Sequence, residues 1–199
     1  MLPLEHDDVA ALPPRERILE TAHRLFYREG IRATGVDAVI AAAGVTKVTF
    51  YRHFPSKSEL VNAVLTLRHD RWMAWFTQAL QRHARRQPLP QALVATLREW
   101  LSSAGFRGCA FINAAVEWGG SDPAVLQHAA AHTQAMAAAI AAHLPEGPRR
   151  DTLARALALA VDGAIVQAQI QAGAPQDIAA SLAALQLLAQ ALLGDTAEG

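Results

Sequence analysis

Residues 36–54 read VDAVIAAAGVTKVTFYRHF, and the fold turns on how this stretch is broken. A short apolar-periodic run through Val36, Val39, Ile40 and Ala43 stops at Gly44, and a second runs from Thr46 to His53. Glycine accepts positive φ at little cost, so two short helices joined by a tight turn are expected. With residues 46–53 helical, Phe50 and Phe54 stand at i, i+4 and face a core, which turns Val48, Thr49 and Arg52 outward with Tyr51 beside them. That face suits a DNA major groove: Arg52 offers two donors to a guanine edge, Thr49 bonds to bases or phosphate, and the Val48 and Thr49 methyls match a thymine methyl. Lys47, Lys57, Thr34, Tyr51 and His53 are placed for phosphates, which position a protein without reading sequence. The same spacing also suits a small helical core with a solvated polar face.

Outward from this unit, turn and capping signals divide the rest into helices. Proline in the first turn and a closing glycine frame a helix from Pro14 to Gly30, with Ile18, Ala22, Leu25 and Phe26 on one side. Ser56-Lys57-Ser58-Glu59 has capping-box spacing and starts a long helix through Leu60, Val64, Leu67 and Leu80. Pro88-Leu89-Pro90 ends it. Further helices are expected at about 90–104, 109–119, 122–144, 149–172 and 175–193, the third opened by Asp122-Pro123. With no β-branched alternation long enough for a sheet, the predicted class is all-α with about nine helices. The expected organisation is an N-terminal arm (1–13), a three-helix helix-turn-helix domain (14–65) and a helical ligand-binding and dimerisation domain (66–199).

Charge agrees with a DNA-facing front. The net charge of zero divides into 13 Lys/Arg against 9 Asp/Glu in residues 1–87, and 5 against 9 in residues 88–199. Only the basic front is expected to meet a polyanion. The chain is 52% hydrophobic, but no run of about eighteen apolar residues lacks a polar break, and Asp162 interrupts the most apolar stretch. The N-terminus lacks the order of a secretion signal, so a cytoplasmic location and no membrane are expected. The single cysteine, Cys109, has no internal partner, and is read as a buried inert thiol rather than an oxidant sensor. His128 and His132 have the spacing of helix-borne metal ligands but no third ligand, and are read as surface residues. Without a glycine-rich phosphate loop, nucleophile elbow or ligand cluster, neither enzyme activity nor a cofactor or metal is expected.

The stretch from Arg15 to Leu65, and above all AGVTKVTFYRHFPSKSEL, resembles the N-terminal domain of the TetR/AcrR (tetracycline-repressor-like) regulators. The resemblance implies three DNA-binding helices followed by a helical ligand and dimerisation domain, and DNA-contacting roles for Thr34, Thr46, Lys47, Thr49, Tyr51, His53 and Lys57. It departs from the family pattern at Ile40, where a small residue is usual, and at Val48, where many relatives have glycine. The function implied is a ligand-responsive repressor that binds a palindromic double-stranded operator as a homodimer and is released by a small-molecule effector. A helical small-molecule-binding or interaction protein without sequence-specific DNA binding is the alternative.

The rear half resembles the family in pattern only. Candidate pocket residues are Trp72, Trp75, Phe76, Trp100, Phe106, Phe111, Asn113, Glu117 and Trp118; Asn113 and Glu117 at i, i+4 could point together into an otherwise apolar cavity, with Glu117 solvated or paired with an arginine as the alternative. Most of these aromatics suit an ordinary core equally well. Leu153, Leu157, Val161 and Ile165, then Ile178, Leu182, Leu185, Leu188 and Leu192, recur at near-helical spacing with alanines between. In the family such helices pair with their two-fold mates, so this set is the expected dimer interface, with an intramolecular core as the alternative.

Overall fold

The computed structural model describes residues 9–171 and 175–194; residues 1–8 of the expected N-terminal arm, and the break expected at Gly173, lie outside them. Nine α-helices and no strand occur among the described residues. They are α1 (Pro14–Glu29), α2 (Val36–Ala43), α3 (Lys47–His53), α4 (Lys57–Ala84), α5 (Leu89–Leu101), α6 (Ala110–Trp118), α7 (Pro123–Ala141), α8 (Arg150–Ile170) and α9 (Pro175–Gly194). The boundaries have local causes. Pro14 opens α1, Gly44 ends α2 with φ 60° and ψ 41°, and the Glu59 amide donates to Ser56 Oγ at 3.1 Å at the start of α4. Asp122 caps α7, its Oδ1 accepting from the Ala124 amide at 3.0 Å.

The chain forms two compact units whose sequence boundary falls inside α4, at Trp72/Met73. One unit holds the described residues up to Trp72 together with Ala110–Ala131, so α6 and the beginning of α7 pack with the N-terminal helices. This partition by packing is distinct from the expected division by role at 65/66. Within the unit α1 lies on α2 and α3, and Ile18, Ala22, Val39, Phe50 and Leu60 are fully buried. The other unit holds Met73–Cys109 and the residues from His132 onward. Its core is built on the α8–α9 and α5–α9 contacts, with Trp100, Leu93, Leu97, Leu157 and Val161 inside. Gly108, at φ 90°, has a packing reason as well as a conformational one, because a Cβ there would lie 1.8 Å from Gln169 Oε1.

By length and mean hydropathy, 1.3 and 1.5, α8 and residues 176–194 of α9 are apolar enough to cross a membrane. Here they are core helices packed on one another. His132, read from sequence as a surface residue, is buried, which corrects that expectation. No group of three metal-ligating side chains occurs among the described residues.

A buried polar cluster ties α1 to α4. Arg71 grips the Glu20 carboxylate with two bonds, one of 2.9 Å, the Arg68 guanidinium lies 4.1 Å from the Tyr27 ring centre, and His23 Nε2 accepts from Arg68 Nη1 at 3.4 Å. Burial, with help from Arg68, Arg71 and Arg24, pushes His23 from 6.5 down to about 3. The folded protein therefore refuses a proton that the unfolded chain accepts. The sign follows: stability is full above pH 6.5 and falls as the solution is acidified from about 6.5 toward 3, at up to about 1.4 kcal/mol per pH unit from this group. His23→Gln should flatten that limb of a urea-midpoint-against-pH curve, and an unchanged slope would show that His23 is not its source.

Candidate nucleic-acid interface

The α2–α3 pair presents a short helix with one side anchored and one side open. Thr46 caps α3, its Oγ1 accepting from the Thr49 amide at 3.1 Å. Phe50 and Phe54 are buried with ring centres 6.3 Å apart, and the Arg15 guanidinium lies 5.3 Å from the Phe54 ring centre. This fixes the rotation of the helix. Val48 is left 71% exposed and Tyr51 43%, a high figure for apolar and aromatic groups, with Lys47 and Arg52 exposed beside them. Thr49 is half-buried, its hydroxyl 2.9 Å from that of Thr46, and His53 is half-buried at the far end.

Lys47 sits 3.4 Å from Asp37, both side chains largely exposed, so the pair is screened and weak. A phosphate can displace it. The side of α3 facing solvent thus gathers Thr46, Lys47, Val48, Tyr51 and Arg52, an apolar patch flanked by two cations and by donors, the chemistry a groove edge and its phosphates accept.

Two residues expected at this face are occupied elsewhere. Thr34 is buried, and its hydroxyl donates to the Gly30 carbonyl at 2.8 Å, which shapes the α1–α2 connection. Lys57 donates to the Ile31 carbonyl at 2.5 Å and lies 4.6 Å from the Trp118 ring centre; burial lowers its pKa while Glu117 opposes the shift. Lys57 is first a fastener of the helix-turn-helix.

The same connection is held by Glu117 and an arginine, the alternative considered for Glu117, with a partner the sequence does not single out. The Arg32 amide donates to Glu117 Oε2 at 3.1 Å, Arg32 Nε donates to the Glu117 carbonyl at 2.7 Å, and a Cβ at Gly30 would come 2.9 Å from Glu117 Oε2. The end of α6 therefore clips the loop that launches α2. Glu117, expected to face a cavity with Asn113, has its carboxylate on this backbone, and Trp118 faces Lys57 while its Nε1 donates to Ser58 Oγ at 3.4 Å. Asn113 is half-buried on α6.

The remaining pocket candidates divide between the two units. Trp72 and Phe111 are buried in the first, with Phe111 edge-on to His69 at 6.3 Å. Trp75, Phe76, Trp100 and Phe106 are buried in the second, where Trp100 lies tilted against Trp75 at 6.3 Å and edge-on to Phe106 at 5.2 Å. They pack as core.

Of the expected dimer residues, Leu153, Leu157, Val161, Ile165, Ile178, Leu182 and Leu185 are buried within the chain, and only Leu188 among these eight is exposed. The periodic stripe is the inner face of α8 and α9. The outer face carries Leu159, 69% exposed, with Leu187 at 69% and Leu188 at 52%. Leu192, the last residue of that series, is half-buried.

Comparison with known proteins agrees with this geometry. Residues 18–64 match the model of the family "Bacterial regulatory proteins, tetR family". The chain is 41% identical over 56 residues to the HTH-type transcriptional regulator TtgR of Pseudomonas putida, a match covering 28% of this chain and 27% of TtgR. The aligned part is thus about a quarter of that relative's length. Over nearly the whole chain the fold is similar to SCO4454, a TetR-family transcriptional regulator of Streptomyces coelicolor, with TM-score 0.73 and 29% identity over 90% of this chain and 95% of that one. It is also similar to the TetR-family regulator CifR, solved as a cysteine mutant with 26-bp double-strand operator DNA, with TM-score 0.70 and 21% identity over 88% and 97%. These proteins are transcriptional regulators rather than enzymes. Residues 18–64 thus match the helix-turn-helix of the tetR family of bacterial regulatory proteins, and the nine-helix fold of the described residues is similar to that of solved TetR-family regulators.

Proposed function

We propose that the chain is a ligand-responsive transcriptional repressor that binds a palindromic operator as a homodimer and is released by a small-molecule effector. The observation that carries this reading is the α3 face, where buried Phe50 and Phe54 hold Val48, Tyr51 and Arg52 out to solvent beside Lys47. Tyr51 packs edge-on against Phe50 at 5.2 Å but keeps much of its ring in solvent, and the exposed Val48 has no packing use there; a major groove gives both one. Arg52, Thr49 and Val48 read bases; Thr46, Lys47, Tyr51 and His53 hold phosphates. Lys57 adds charge at the same end.

Two copies meet through the outer faces of α8 and α9. On α9 the outward residues Ala180, Ala183, Ala184, Leu187 and Leu188 carry no charge, and Leu159 extends the patch onto α8. Exposed leucines of this kind need a cover, and a two-fold mate offers the same residues in return. Dimerisation also sets two recognition helices about one turn of DNA apart, as a palindrome requires. The functional division remains a helix-turn-helix domain at 14–65 with the remainder serving ligand and dimer, and a DNA target places the protein in the cytoplasm.

The test separates the two kinds of contact. Against one bound sequence, Lys47→Ala should weaken binding uniformly and reduce the log-affinity-against-log-salt slope by about one, whereas Arg52→Ala should change base preference by roughly 1–3 kcal/mol at one position of each half-site. Binding that ignores salt, or variants that behave alike, would count against the assignment.

A further inference from the structure

We propose that the groove walled by the end of α4, one face of α5 and α9 binds a short peptide-like acid, with a carboxylate at one end, an amide N–H at the other and an apolar middle. The site stands on its own residues, whether or not operator binding is as proposed. The groove encloses about 630 Å³, within the range of small-molecule sites. Its long wall is α5, where Gln91, Val94, Ala95 and Arg98 follow one another at i, i+3, i+4 and i+7 and so share a face.

The two ends of that wall are chemically unfinished. Gln91 Oε1 is buried and has no hydrogen-bond partner among the described residues, which leaves an acceptor waiting for an N–H. At the other end the exposed Arg98 guanidinium has no ion-pair partner among the described residues. The neighbouring carboxylate does not satisfy it: both Glu99 oxygens accept from Arg82 Nη2 at 2.8 Å, and Oε1 also lies 2.6 Å from His83 Nε2. Burial works against a charged Glu99, yet these bonds hold its pKa below the ordinary value, so its charge is matched locally and Arg98 remains the uncommitted cation. A forked guanidinium at a groove end is a carboxylate receptor.

Between the ends, Val94 and Ala95 make an apolar floor, faced across the groove by Gln186 of α9. Seven residues of helix separate the Gln91 and Arg98 Cα atoms by about 10 Å. At roughly 3.3–3.6 Å per extended residue, that distance fits an N-acylated dipeptide with a free carboxylate.

The experiment is calorimetric titration of the full chain with N-acetyl dipeptides of Ala-Ala, Val-Val and Leu-Leu, each as the free acid and as the C-terminal amide. The expected result is saturable binding of at least one acid, weakened about tenfold or more by amidation of the ligand, by Arg98→Gln and by Gln91→Leu, with thermal melts of both variants matching the parent. No saturable binding of any acid up to about 10 mM would overturn the proposal, as would binding that amidation and both substitutions leave within about twofold.

Discussion

If the proposed dimer forms through α8 and α9, replacing Leu159 and Leu187 together by glutamate is expected to leave a folded monomer and to weaken operator binding by about 100-fold or more. Both side chains are 69% exposed within the protomer, so charge there costs its own core little. In the proposed interface the same change places carboxylates where leucines would meet the partner's apolar face, and each loses its hydration there. The loss at the operator follows because a dimer docks its second recognition helix as an intramolecular event, and a monomer has only one half-site. Light scattering reads the first effect and gel-shift titration the second. A double variant that stays dimeric would move the interface elsewhere; one that becomes monomeric with undiminished affinity would remove the palindrome from the account.

Phe50→Ala is the second large effect. Phe50 is fully buried, packs on Phe54, and sets which side of α3 faces out. Removing a buried phenyl costs about 3–5 kcal/mol through lost transfer energy and the cavity left behind. Two positions earlier, Val48→Ala should change stability by no more than about 0.5 kcal/mol, because that side chain is already in solvent. The two therefore separate by readout: urea unfolding registers Phe50→Ala, whereas base selection at a thymine methyl registers Val48→Ala. Comparable unfolding midpoints for both would mean that α3 is not anchored through Phe50.

The part of this protein that local chemistry decides was legible in its sequence. Gly44 marked the turn because it needs positive φ, Pro14 and Asp122 marked helix starts, Pro88-Leu89-Pro90 marked the end of the long helix, and the i, i+4 pair Phe50 and Phe54 placed the exposed face of α3. What was lost lies in long-range choice. On α8 and α9 leucine recurs among alanines on every side, so the period gives an apolar stripe without saying which of two apolar faces turns inward; the structure buries Leu157 and Leu185 and exposes Leu159 and Leu187. Likewise, nothing near Arg32 or Glu117 in sequence announces a pair 85 residues apart, and the clip from α6 to the α1–α2 connection emerges only from folding. Thr34 shows the same limit, since a threonine in a loop reads as an exposed donor until its hydroxyl is seen on Gly30.

In the proposed function the α3 face reads DNA sequence as half of a symmetric pair. Selection of bound duplexes from a random pool by the purified chain, followed by sequencing, tests it most directly. The account predicts an inverted repeat whose half-sites are separated by about one helical turn, with Arg52→Ala changing the preferred base and Lys47→Ala leaving the motif intact at lower affinity. Enrichment of no motif would contradict it, and the exposed face of α3 would then have to serve a partner other than DNA.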